Sequence, residues 1–177
     1  MTGARTRVLY LVIGESGWFA CVLSAARGIP WLGTAFALLL IAVHIVRAPK
    51  PLEELKFVAG VTLIGTLWES VLVNARLLSY PSGMLDAHLA PYWIIALWAL
   101  FAAQFNTSYV WLKQRVGLGA VLGAVAGPVS FHAGAALHAL RFERPWPATL
   151  ALALGWACIV PLVTLLSYRF DGVSAGT

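Results

Sequence analysis

Six stretches of this chain are long and apolar enough to cross a lipid bilayer, and no other feature restricts its fold as much. They run from Val8 to Ala26, Trp31 to Val46, Phe57 to Leu78, Pro91 to Tyr109, Leu118 to Leu140 and Pro147 to Tyr168. Crossing about 30 Å of hydrocarbon takes roughly 20 helical residues at a rise of 1.5 Å. The second stretch is the shortest, and its end, His44-Ile45-Val46-Arg47, suits snorkelling toward the headgroups. All six are apolar throughout rather than alternating with period two, which selects helices over a transmembrane barrel. A helix also pairs its backbone within its own segment, as the bilayer demands. The expectation is an all-α, polytopic transmembrane helix bundle of about six spans, with residues 1–177 forming a single transmembrane domain.

Composition supports that reading. Hydrophobic residues make up 60% of the chain and charged residues only 11%, where a soluble domain carries about 25% charged residues. A water-exposed fold with so few charges would leave large apolar patches uncovered. The first stretch follows two arginines, as a secretory leader would. Glu15 and Ser16 interrupt it, however, and Arg27-Gly28-Ile29-Pro30 leads straight into another span. It is therefore read as a membrane span.

Orientation follows from the basic residues, which favour cytoplasmic loops. With the N-terminus inside, Arg5, Arg7, Arg47, Lys50, Lys56, Lys113, Arg115 and Arg169 share one side, against Arg27, Arg76, Arg141 and Arg144 on the other. This imbalance predicts both termini in the cytoplasm. The net charge of +5 is accordingly a topology signal and a weak pointer to anionic lipid headgroups. No basic patch with interleaved aromatics indicates a nucleic acid.

Trp31, Tyr80, Tyr92, Trp93, Tyr109, Trp111, Trp146 and Tyr168 fall near predicted interfaces and read as an aromatic belt. Trp18, Trp68, Trp98 and Trp156 lie deeper, as packing or pocket residues. In the fifth span Gly119, Gly123 and Gly127 recur every fourth residue, a face that lets helix backbones approach closely in lipid. That marks the fifth span as the central helix. The stripe is expected to pack within the chain, with oligomerisation through it as the alternative. Cys21 and Cys158 lie inside spans and offer no disulfide framework or metal spacing. No phosphate-binding loop, zinc-protease motif or nucleophile elbow is present, so no cofactor is implied.

Polar groups at membrane depth are costly there and become the functional candidates. Glu15 with Ser16, and Gln104 with Asn106, fall toward the cytoplasmic side. Glu69, Ser70, Asn74, Ser130, His132 and His138 fall from mid-membrane outward. Glu69 is about twelve residues into the third span, roughly 18 Å deep, and must be protonated, paired or faced by a watery cavity. His132 is at similar depth and is the partner expected for it, as a proton relay or acid/base couple, or as a hydrogen bond that fixes helix register. Glu69, His132 and Ser130 are the catalytic candidates. Glu15, Trp68, Glu69, Asn74, Trp93, Trp98, Gln104 and Asn106 are the ligand-binding candidates. No metal site is predicted, since Glu15 and Glu69 lie at different depths and no span carries ligands at i and i+4.

Several segments together, in order and spacing, resemble the DUF2878 family of small bacterial inner-membrane proteins nearly end to end. They are Gly17-Trp18-Phe19-Ala20-Cys21, Pro30-Trp31-Leu32-Gly33, Ala90-Pro91-Tyr92-Trp93-Ile94 with Leu97-Trp98 and Phe101, Gly127-Pro128-Val129-Ser130, and Gly155-Trp156. The resemblance implies a multi-pass fold in the bacterial inner membrane and a lipid-linked role, with no established biochemical activity. It also implies an aspartate where Glu69 stands and an aromatic-apolar pair where Phe131-His132 stands, so a relay through His132 would be peculiar to this chain.

The first functional expectation is a non-enzymatic membrane protein that binds, moves or scaffolds a lipid-like or small amphipathic ligand, with membrane lipids as its partners. The alternatives are an intramembrane lipid-modifying enzyme using Glu69 and His132, and a proton-coupled small transporter. The lack of an obvious inverted repeat weighs against the last.

Overall fold

The computed structural model describes residues 4–174, with side chains from residue 8 onward. Arg5 and Arg7, counted in the charge argument, lie outside the described side chains. Six α-helices are formed among the described residues: α1 (Ala4–Ala26), α2 (Pro30–Arg47), α3 (Pro51–Asn74), α4 (Tyr92–Phe105), α5 (Val116–Ala136) and α6 (Pro145–Arg169). Prolines occupy the first turn of α2, α3 and α6, where a missing N–H costs nothing and φ is already helical. Outside the helices, β1 (Leu78–Ser79) pairs antiparallel with β2 (Arg141–Phe142).

Five of the six helices are long and apolar enough to cross a membrane. The short one is the fourth, not the second as expected: α2 has 18 residues and α4 has 14. Extended backbone at Pro91 delays the start of α4, and the buried run Asn106-Thr107-Ser108 follows its end. Its rise of about 21 Å is less than the hydrocarbon thickness. That is tolerable because protein surrounds α4: ten of its residues, from Trp93 to Phe105, are buried, and irregular backbone at depth is allowed where protein covers it.

The central helix is therefore α4, which packs on α1, α2 and α3. The glycine stripe of α5 belongs instead to a peripheral pair, α5 against α6. A Cβ on Gly123 would lie 2.6 Å from the Trp156 carbonyl oxygen and 2.8 Å from Val160 Cγ2. Gly127 gives way to the Trp156 ring, where a Cβ would come within 2.3 Å. The close approach is made inside one chain. Glycine notches seat two more indoles in the same way, Trp98 of α4 over Gly65 of α3 and Trp68 of α3 over Gly155 of α6.

The outer surface is the reverse of a soluble protein's. Only 28–33% of each spanning window is buried within the molecule, and the remainder presents residues such as Leu38, Leu63, Val125, Leu150 and Leu165. Such a surface requires lipid around it. Tyr10 of α1 packs edge-on against His44 at the end of α2, and the backbone N–H of Lys50 bonds to the Gly172 carbonyl. Both ends of the described chain thus lie at one end of the bundle.

Candidate functional site

A cavity of about 480 Å³ lies between α1, α4 and α5, with Trp156 of α6 in its wall. It exists because α1 packs on α2 and α4 while α5 packs on α6, which leaves α1 and α5 as its two flanks. Glu15, Ala126, Val129 and Ala133 line it and are exposed, so it opens sideways between those helices. Four tryptophans, Trp18, Trp93, Trp98 and Trp156, line it together with Phe101 and Phe131. Trp98 and Trp156 stack at 4.8 Å with an 18° tilt, and Phe101 meets Trp156 edge-on at 5.4 Å. These are offset and perpendicular geometries that aromatic quadrupoles favour.

Glu15, Gln104 and Ser130 supply polar side chains to its lining. Glu15 is on α1, and Gln104 is at the end of α4, 8% exposed, with no hydrogen-bond partner for Oε1. Gly14 admits the Gln104 amide, which would lie 2.0 Å from a Cβ at that position. Tyr109 adds a phenol to the lining. Of the residues singled out from sequence, Glu15, Trp93, Trp98, Gln104 and Ser130 line the cavity, while Trp68, Glu69, Asn74, Asn106 and His132 do not.

Glu69 is fully buried on α3, and its partner comes from a loop rather than from α5. Tyr80 donates its hydroxyl to Glu69 Oε2 at 3.0 Å. The Trp98 indole is the other polar neighbour of the carboxyl; Oε1 has no hydrogen-bond partner. Glu69 therefore stands behind Trp98, one layer from the cavity. The expected pairing with His132 is not formed: His132 is exposed, lies 3.0 Å from Thr149 Oγ1 of α6 and stacks on Phe142 at 4.3 Å. The Thr149 contact places His132 against the start of α6. Asn74 belongs to the loop end, donating to the Ser70 and His88 carbonyls at 2.7 Å each. Tyr80 and Trp93, read from sequence as belt residues, are buried and meet edge-on at 5.7 Å.

A second buried polar cluster was not anticipated. Glu54, in the first turn of α3, is 0% exposed. His44 Nε2 lies 2.8 Å from its Oε1, and its Oε2 accepts from Asn106 Nδ2 at 3.0 Å and from the Gly172 N–H at 3.1 Å. Gly172 fits because even a Cβ there would come within 2.6 Å of the Glu54 backbone nitrogen. Beside it, Lys113 Nζ donates to Asp171 Oδ2 at 2.7 Å and to the Ser167 carbonyl at 3.2 Å. Burial raises the Asp171 carboxyl, but Lys113 and Ser174 outweigh it and hold the group below the usual carboxylate range. This cluster fastens the segment after α6 to the α2–α3 and α4–α5 connections, which explains why Asn106 is structural rather than a cavity residue.

Residues 7–162 match the family model described as a protein of unknown function, DUF2878, and the chain belongs to that family. No curated protein matches it. No solved structure matches it either.

Proposed function

We propose that this DUF2878 protein sits in the bacterial cytoplasmic membrane with both termini inside and holds a lipid-like amphipathic molecule in the cleft between α1, α4 and α5. The observation that carries this reading is the cleft itself: about 480 Å³ of aromatic-walled space, open toward the lateral surface, with only a few polar groups, Glu15, Gln104, Tyr109 and Ser130, in its lining. That volume is within the ~300–1,000 Å³ of small-molecule sites, and an apolar wall with a few convergent polar groups is their usual make-up. A lateral mouth suits a ligand that arrives from the bilayer. The flat faces of Trp98 and Trp156 suit an alkyl chain, and Glu69 with Tyr80 supports Trp98 from behind.

Lipid mass spectrometry on the purified protein tests the reading. An amphiphile is expected to co-purify with the wild type and to be lost from Ala126→Trp, which fills the cleft from α5, while the melting temperature stays near the wild-type value. Equal retention by both proteins would remove the cleft as the binding place. The orientation is tested by reporter fusions, expected to read cytoplasmic after Lys50 and periplasmic after Asp86.

A further inference from the structure

We infer that the cleft selects amphiphiles whose headgroup is a protonated amine, seated between Glu15 and the Gln104 amide. This rests on the reading of the cleft as an amphiphile site and adds the chemistry of the headgroup.

Glu15 is the single charged side chain among the residues that line the cleft. It lies seven residues inward from Val8, about 10 Å along the helix, where an unpaired carboxylate calls for a counter-charge or for water. The ion pairs among the described residues are His44 with Glu54, Lys56 with Glu53 and Lys113 with Asp171, and Glu15 enters none of them. A ligand ammonium placed in the cleft supplies that counter-charge.

Two further features fit the same headgroup. Gln104 is more than nine-tenths buried, and its Oε1 is an acceptor without a donor. An ammonium has three N–H donors, enough for the carboxylate and the amide oxygen together. The Trp18 indole, one helical turn from Glu15, lines the same wall, and aromatic faces attract cations electrostatically. An anionic headgroup meets the opposite situation, facing Glu15 with no lining cation to receive it.

The test is isothermal titration of the full chain in a neutral maltoside detergent with four probes of equal chain length: dodecylamine, dodecyltrimethylammonium, dodecanol and dodecanoate. Dodecylamine is expected to bind at least tenfold tighter than dodecanol, with dodecanoate weakest. The quaternary probe, which is charged but has no N–H to donate, should fall between amine and alcohol. Glu15→Gln should bring the amine-to-alcohol ratio near one, and Gln104→Leu should narrow the gap between the primary and quaternary amines. Wild-type dodecanol binding as tight as dodecylamine, or an amine preference that survives Glu15→Gln in a folded variant, would overturn the inference and leave the amphiphile reading intact. Failure of all four probes to bind would overturn both.

Discussion

Tyr80 and Glu69 are eleven residues apart, and the loop after α3 folds back so that the Tyr80 hydroxyl donates to the Glu69 carboxyl at 3.0 Å. Both are buried. A buried carboxyl five residues before the end of α3 is thereby satisfied by its own loop, with the Trp98 indole beside it. Removing it leaves the phenol without its acceptor, a loss of about 1–3 kcal/mol for a buried group. Glu69→Leu and Tyr80→Phe should both lower the melting temperature in detergent, and the double mutant should lose less than the sum of the two. Glu69→Gln, which keeps an acceptor oxygen, should be milder than Glu69→Leu. Additive effects of the two single mutants would show that the pair is not coupled.

Adjacent glutamates offer a second comparison. Glu53 pairs with Lys56 on the exposed face of α3, while Glu54 is buried against His44, Asn106 and Gly172. Breaking a buried pair by removing one partner costs about 3–5 kcal/mol, whereas exposed pairs contribute little. Glu54→Ala should strongly destabilise the protein and expose the segment after α6 to protease. Glu53→Ala should leave the melting curve unchanged within error. Similar curves for the two variants would refute the fastening role of Glu54.

Gly123→Leu tests the α5–α6 contact. Its Cβ would lie 2.6 Å from backbone that cannot move aside cheaply, and overpacking costs typically ~1–3 kcal/mol. A lowered melting temperature is expected. Replacement of the lipid-facing neighbour, Val125→Leu, serves as the control, since Val125 is 61% exposed. Equal stability of both variants would place the glycine face in lipid.

These contrasts show what the sequence discloses and what it does not. Helix class, five of the six spans and the close-packing glycines are legible because each is written in consecutive or periodic residues. Counting from Phe57 sets Glu69 too near mid-span, since α3 runs Pro51–Asn74 and ends five residues after it, but its place on the third helix is legible. Its partner is not, because Tyr80 comes from a loop whose path depends on tertiary packing, and a tyrosine near a span end looks like a belt residue. Glu54 is hidden further: it follows Pro51 and Glu53 like an ordinary acidic first turn, and its burial depends on Gly172, 118 residues away. The choice of α5 as the central helix failed because a glycine stripe reports close approach to one neighbour, while centrality depends on burial all round, the property of α4. The cleft was read only as scattered polar and aromatic residues. Which of them converge depends on α1 and α5 standing apart across α4.

The central claim, that an amphiphile occupies the cleft, is tested most directly by photo-crosslinking a dodecylamine that carries a diazirine in its chain and mapping the adducts by peptide mass spectrometry. The cleft account predicts adducts on Leu97, Phe101 and Phe131, which line the cavity. Unlabelled dodecylamine should suppress them, and they should be absent from Ala126→Trp. Adducts confined to the outward-facing Leu38, Leu63 and Leu150, undiminished by competitor, would contradict it.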